Sequence, residues 1–253
     1  MQLWTYEHTV TLLPAVAAML IIAGLLRLTI GQKPLQIRMI PIRIIAVLIL
    51  LLEIGKQVVS LSRGYDLYHL PFHFCSLFIF VLPFMAAYRG HHLQKIYGLT
   101  AALCVSVMLL TLIYPVLIYS DGDIRSFFTD YMSFHTVIFH NLVIFAAILI
   151  IALRVHSPSR GERKVLLWFT VGFCVVSATM AQLLKTNFNN FYTCNIPPLE
   201  ALRVSVQGYL GYGVTQAIYI AIIIVLDILF VQGAYWFYRG LRRLFAGKLA
   251  CVS

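Results

Sequence analysis

Seven stretches of roughly 20 mostly apolar residues divide the chain, at about 9–30, 39–58, 70–88, 96–118, 132–153, 164–184 and 213–238. A helix of ~20 residues crosses a ~30 Å hydrocarbon core. In lipid, the helix also satisfies every backbone N–H and C=O within its own segment. The sequence therefore predicts an all-α fold: one integral membrane domain over residues 1–253, a bundle of seven transmembrane helices. Composition points the same way. The chain is 61% hydrophobic and 11% charged, against about 25% charged in soluble domains. Its first residues, MQLWTYEHTV, contain Glu7 and no Lys or Arg, so they do not read as a secretory signal. The cysteines, at 75, 104, 174, 194 and 251, form no CxxC pair. They suggest neither a disulfide scaffold nor a zinc knuckle, and no cofactor is expected.

Charge sets the expected orientation, because loops rich in Lys and Arg stay on the cytoplasmic side. Arg27, Lys33, Arg38 and Arg43 flank the first loop, and Arg89 and Lys95 the third. Arg154, Arg160, Arg163 and Lys164 flank the fifth, and Arg239, Arg242, Arg243 and Lys248 follow the last span. The alternate side has Lys56, Arg63, Arg125, Lys185 and Arg203, with Asp121, Asp123 and Asp130 in one of its loops. The N-terminus is therefore expected outside and the C-terminus in the cytoplasm. On this reading the net charge of +10 reports topology and not nucleic-acid binding. A multi-pass protein of the cell (plasma) membrane, with membrane lipids as partners, is the expected setting. From Leu199 to Tyr238 one helix would run ~60 Å, too long for a single span. The GYLGYG at 208–213 predicts a break, with 199–207 as a short interfacial or re-entrant segment.

Costly side chains gather at one outer depth. The third span opens with His69, Pro71, His73 and Cys75, and the fifth holds His135 and His140. Glu53 and Lys56 stand at i and i+3 near the outer end of the second span, close enough to pair. Asn187, Asn189 and Asn190 follow the sixth, and Tyr212, Gln216 and Tyr219 begin the seventh. Ionisable groups within spans usually face a bundle interior or a wet cavity. His135 and His140, five residues apart, stand about 140° apart around a helix and are not expected to share one centre. Asp227, near mid-depth in the last span, has no evident partner.

Three chemistries fit. Cys75 could be a nucleophile with His140 or His73 as its base, the asparagines donating to an oxyanion. Four histidines could hold a metal, but no HExxH or paired carboxylate supports this. The cavity could also be a transport or binding site for a small molecule or lipid, with no enzymatic role. A Cys75–Cys194 disulfide would remove the nucleophile.

The segments LPFHFCSLF, HNLVIFAAIL and NFNNFYTC, in this order, resemble the YwaF-like family of integral membrane proteins. That family is related to animal transmembrane acyltransferases that move fatty acyl chains onto ether phospholipids through a cysteine acyl-enzyme and a histidine. The resemblance implies acyl transfer, with His73 and His140 as the family histidines and Asn187, Asn189 and Asn190 as the asparagine run. It implies Cys75 as nucleophile, His140 as general base, His73 as orienter, and Asn189 and Asn190 as carbonyl-polarising donors. Glu53 and Lys56 would belong to the substrate site. One position departs: the animal enzymes place the reactive cysteine directly before the first histidine, where this chain has Phe72. Cys75 lies three residues on, nearly the same face if the segment is helical.

Overall fold

Each apolar run folds into helix except where proline or a side chain captures its backbone. The computed structural model describes residues 4–157, 159 and 161–247. The helices are α1 (Tyr6–Ile30), α2 (Leu35–Arg38), α3 (Ile40–Ser62), α4 (Phe78–Ala87) and α5 (Leu93–Ile113). They continue with α6 (Asp121–Arg125), α7 (Tyr131–Ala152), α8 (Glu162–Leu184), α9 (Pro197–Leu210) and α10 (Tyr212–Gly247). Short 3-10 turns join some of them, and no strand occurs among the described residues. Arg160, Lys248 and Cys251 lie outside the described residues.

α5 is the axis of the bundle. It packs against α4, α7, α8 and α10 and is buried along most of its length. α3 covers α4 and α7, α1 lies on α7, and α9 rests on α10. The outer helices turn apolar side chains outward: Leu28 of α1 is 84% exposed and Leu229 of α10 63%. Continuous apolar faces of this kind suit hydrocarbon, not water.

Among the described residues, five helices are long and apolar enough to cross a membrane: α1, α5, α7, α8 and Tyr212–Arg243 of α10. The other two expected spans differ in kind. α3 has 23 residues but carries Arg43, Glu53 and Lys56. The third expected span, 70–88, is not helical from its start: regular α-helix begins only at Phe78, after a 3-10 turn at Cys75–Leu77. Pro71 lacks an N–H and disfavours helix in the residue before it. The side chain of Asn189 then takes up the polar backbone of Phe72 and Phe74, as described below. Cys75 and Phe72 therefore do not share a helical face. Phe72 packs against the Phe188 ring, with centroids 5.4 Å apart, in the cluster beneath α8, whereas Cys75 packs on the main core.

Loop chemistry sets other boundaries. At 119–123, expected as loop, Ser120 and Asp123 form a capping box that starts α6. Asp130 then caps α7, accepting from the Ser133 N–H. The expected break near GYLGYG falls at Gly211, whose φ of +75° suits glycine, and it separates α9 from α10. α9 buries none of its residues. It is tied down by Glu200, which accepts from the Cys194 N–H at 2.9 Å and from Arg203 Nε at 2.8 Å, while Arg203 Nη1 donates to Gln216 Oε1 at 2.9 Å. The Arg203 guanidinium, chiefly, holds the Glu200 carboxyl below the usual range. A folded value below the unfolded one stabilises the fold at pH above about 4.3. That contribution disappears as pH falls through the folded value. Glu200→Gln is therefore expected to lower the thermal midpoint at pH 7, with the gap from wild type narrowing below about pH 4. A gap that widens in acid would contradict this pairing.

Candidate functional site

A cavity of about 510 Å³ opens among α3, the 67–77 segment, α5, α7, the 187–195 linker and α10. Glu53, Lys56, His73, Cys75, His140, Asn187, Asn189 and Asn190 all line it. They come from four separate stretches of chain, so the packing of the bundle brings them together.

On α3, Glu53 Oε1 meets Lys56 Nζ at 2.8 Å and accepts from Gln57 Nε2 at 2.8 Å. Its other oxygen stands 3.5 Å from His135 Nε2, in ion-pairing range but long for a hydrogen bond. Gln57 also donates to the His69 carbonyl at 3.1 Å, and Ser60 Oγ lies 2.6 Å from His69 Nδ1. One turn of α3 thus secures the entry to the 67–77 segment. Lys56 and Glu53 largely neutralise each other, which limits the cost of placing both charges in a mostly buried site.

The two family-like histidines present opposite ring atoms. His140 Nδ1 lies 2.7 Å from the Thr136 carbonyl. A carbonyl only accepts, so Nδ1 carries the hydrogen and a neutral ring has its lone pair on Nε2. His73 Nε2 lies 3.0 Å from the Tyr68 carbonyl, which by the same logic leaves the lone pair on Nδ1. The His73 ring is clamped between Tyr68, at 4.3 Å, and Phe188, at 5.2 Å.

The asparagines divide their work. Asn189 Nδ2 donates to the Phe72 carbonyl and to Ser177 Oγ, both at 2.9 Å, and its Oδ1 accepts from the Phe74 N–H at 2.6 Å. Both amide hydrogens are engaged, so Asn189 holds the bend and is not a spare donor toward a substrate carbonyl. Asn187 likewise stays within the linker, accepting from the Tyr192 and Thr193 N–H groups. Asn190 differs: its Oδ1 is buried without a hydrogen-bond partner. Asn189→Ala is expected to cost about 1–3 kcal/mol, since it removes three bonds at a residue held at φ +49°. It should also speed alkylation of Cys75 as the 72–77 bend loosens. Unchanged melting and unchanged alkylation would show that the bend holds without it.

Two residues set aside in the sequence also line the cavity. His135 does so because the space spreads around α7, so that 140° of separation keeps both histidines on its wall. Asp227 reaches it from α10, accepting from Cys174 Sγ at 3.7 Å. Its depth was legible, but its partner on α8 was not. Cys75 and Cys194 are both free thiols, and no cluster able to hold a metal occurs among the described residues.

Searches among curated proteins and among solved structures find no match to this chain. The pattern of the TMEM164 family matches residues 3–236, a stretch that takes in every residue lining the cavity. The chain belongs to the TMEM164 family of transmembrane proteins.

Proposed function

We propose that this protein is a lipid acyltransferase of the cell membrane, using Cys75 as nucleophile and His140 as base. The observation that carries the reading is the meeting of Cys75, His73, His140 and Asn190 on the wall of one cavity. The likeness of LPFHFCSLF, HNLVIFAAIL and NFNNFYTC to the animal ether-phospholipid acyltransferases and the YwaF-like proteins supports it. Cavity size is also suitable, within the roughly 300–1,000 Å³ of small-molecule sites. Its wall includes Leu117, 41% exposed, Leu226, 54%, and Phe230, 36%. These apolar residues face the exterior where hydrocarbon would lie, so a lipid enters sideways between α10 and the Pro115–Leu117 turn that follows α5.

The step balances simply. His140 Nε2 takes the thiol proton of Cys75, and the thiolate attacks the ester carbonyl carbon of a donor lipid. Asn190 donates to the developing oxyanion. The C–O bond breaks and the leaving alkoxide takes the proton back from His140, giving a lysolipid and a thioester. An acceptor hydroxyl then passes its proton to Nε2 while its oxygen attacks the thioester. The C–S bond breaks, and the departing thiolate takes that proton from Nε2, restoring the Cys75 thiol and the neutral His140 ring. His73 orients the 72–77 bend through Tyr68. Glu53 and Lys56 present paired charge to a polar headgroup, and Asn187 and Asn189 shape the wall that faces it.

In the proposed topology, α3 and the Cys75–Ala87 segment complete seven spans, with the N-terminus outside and the basic helix ends in the cytoplasm. The test is intact mass of the detergent-purified protein, wild type beside Cys75→Ala. A hydroxylamine-sensitive increase of fatty-acyl size in wild type alone is expected. Vesicle uptake of a ligand that survives Cys75→Ala, with no change in lipid composition, would replace this reading with transport.

A further inference from the structure

The Cys75 cavity has two mouths of opposite character. At one, Tyr68 and Asn195 line the cavity and are exposed. Both belong to connections between helices, and exposed irregular backbone meets water, not lipid. A ladder of side chains leads inward from that surface along α3. The Tyr65 hydroxyl donates to Gln57 Oε1 at 2.8 Å, Gln57 Nε2 donates to Glu53 Oε1 at 2.8 Å, and Glu53 pairs with Lys56 on the cavity wall. The other mouth is apolar, with Leu226 and Phe230 of α10 exposed there. Leu226 lies 14 residues after Tyr212, where α10 starts, and 21 before Gly247, where it ends. At 1.5 Å per residue it is roughly 21 Å along the helix, at the depth of hydrocarbon.

The reacting groups adjoin the polar mouth. Cys75, His73 and His140 line the same cavity, and Lys56 is within electrostatic range of both Cys75 and His73. Two further lining residues carry polar atoms that are buried with no hydrogen-bond partner, His135 Nε2 and Asn190 Oδ1. Such atoms are costly against hydrocarbon and favour water beside them. The cavity, at about 510 Å³, is large enough to admit several waters next to a lipid chain, since each occupies about 30 Å³ in the liquid.

Resting on the acyl-transfer reading, we propose a second activity of the same site: hydrolysis of the acyl-enzyme, which releases free fatty acid from the donor lipid. Water enters by the mouth at Tyr68 and Asn195, while the acyl chain lies toward Leu226 and Phe230. A water molecule passes one proton to His140 Nε2 as its oxygen attacks the thioester carbonyl carbon. The C–S bond breaks, the departing thiolate takes that proton from Nε2, and the product is a carboxylic acid. Water and the acceptor hydroxyl therefore compete for one thioester, and the supply of acceptor sets the outcome.

The experiment places the protein in nanodiscs of phosphatidylcholine with a labelled acyl chain, in oxygen-18 water and with no acceptor added. Labelled fatty acid carrying one oxygen-18 atom is expected from wild type, and none above protein-free discs from Cys75→Ala. Added lysophosphatidylglycerol should then divert label from the acid into phosphatidylglycerol. A thioester on Cys75, or transfer to lysophosphatidylglycerol, without release of oxygen-18 acid overturns the hydrolytic activity and leaves acyl transfer standing. Absence of thioester, transfer and acid together removes both. Acid release that Cys75→Ala retains, or that added acceptor leaves unchanged, also overturns the proposal. Asn195→Trp fills the polar mouth and should lower the ratio of acid to transferred chain; an unchanged ratio overturns this route for water. If that variant does not fold, the competition with lysophosphatidylglycerol decides.

Discussion

Replacing His140 by alanine is expected to reduce lipid acyl transfer by on the order of 10²–10⁴-fold, the usual contribution of a positioned acid–base group. The fold should survive. Among the described residues the His140 hydrogen bond runs from Nδ1 to the Thr136 carbonyl within its own helix, and that carbonyl keeps its helical role without it. In the neutral ring the other nitrogen, on a residue that lines the cavity, carries the lone pair. In the proposed cycle it moves a proton twice, so both thioester formation and its discharge slow together. His73→Ala should behave differently. His73 is held through the Tyr68 carbonyl and two aromatic rings, so its loss disturbs the bend that positions Cys75 and leaves the proton acceptor in place. Labelled acyl transfer between phospholipids, measured beside the thermal midpoint of each variant, separates the two. A His140→Ala protein with full transfer activity would end the acid–base assignment.

The largest expected loss of stability lies at the other end of the bundle. His156 is fully buried and Glu162 is 1% exposed. Both ring nitrogens of His156 are used, Nδ1 with the Tyr238 hydroxyl and Nε2 with Glu162 Oε2, each at 2.9 Å. Tyr235 donates to Glu162 Oε1 at 2.6 Å. These contacts tie the α7–α8 loop and the first turn of α8 to α10, and the carboxylate gains from the amide dipoles of that first turn. Gly98 of α5 makes room for them: a Cβ there would stand 2.7 Å from Glu162 Oε2 and 3.0 Å from His156 Nε2. Glu162→Ala strands two buried polar groups, His156 Nε2 and the Tyr235 hydroxyl, together with the part-buried Ser159 N–H, and is expected to cost about 3–5 kcal/mol. Gly98→Val should be comparably damaging, by forcing carboxylate and imidazole apart. Thermal unfolding in detergent measures both. A loss of under about 1 kcal/mol for Glu162→Ala would place the cluster outside the group of buried, fully bonded networks.

Much of this architecture was legible in the sequence because hydropathy is a local sum. A run such as 132–153 declares a buried helix whatever surrounds it, and α7 forms over Tyr131–Ala152. Gly211 marked the end of α9 for an equally local reason, since its φ is one that other residues resist. The cost of burying Glu53, Lys56, His73 and His140 could likewise be read one residue at a time, and cost alone pointed to a shared polar space. Tertiary structure decided what local sums cannot express. The 70–77 stretch is apolar enough to continue a helix, yet Asn189, more than a hundred residues away, captures its backbone and delays the helix to Phe78. That contact turns Phe72 toward α8 and Cys75 toward the cavity, and it occupies the amide that the motif alone offered as a free donor. Asp227 found its partner in the same way, on a neighbouring helix. Residue type and spacing determined which groups required company. Helix packing chose the company, because hydrogen bonds form between whatever the folded bundle places about 3 Å apart.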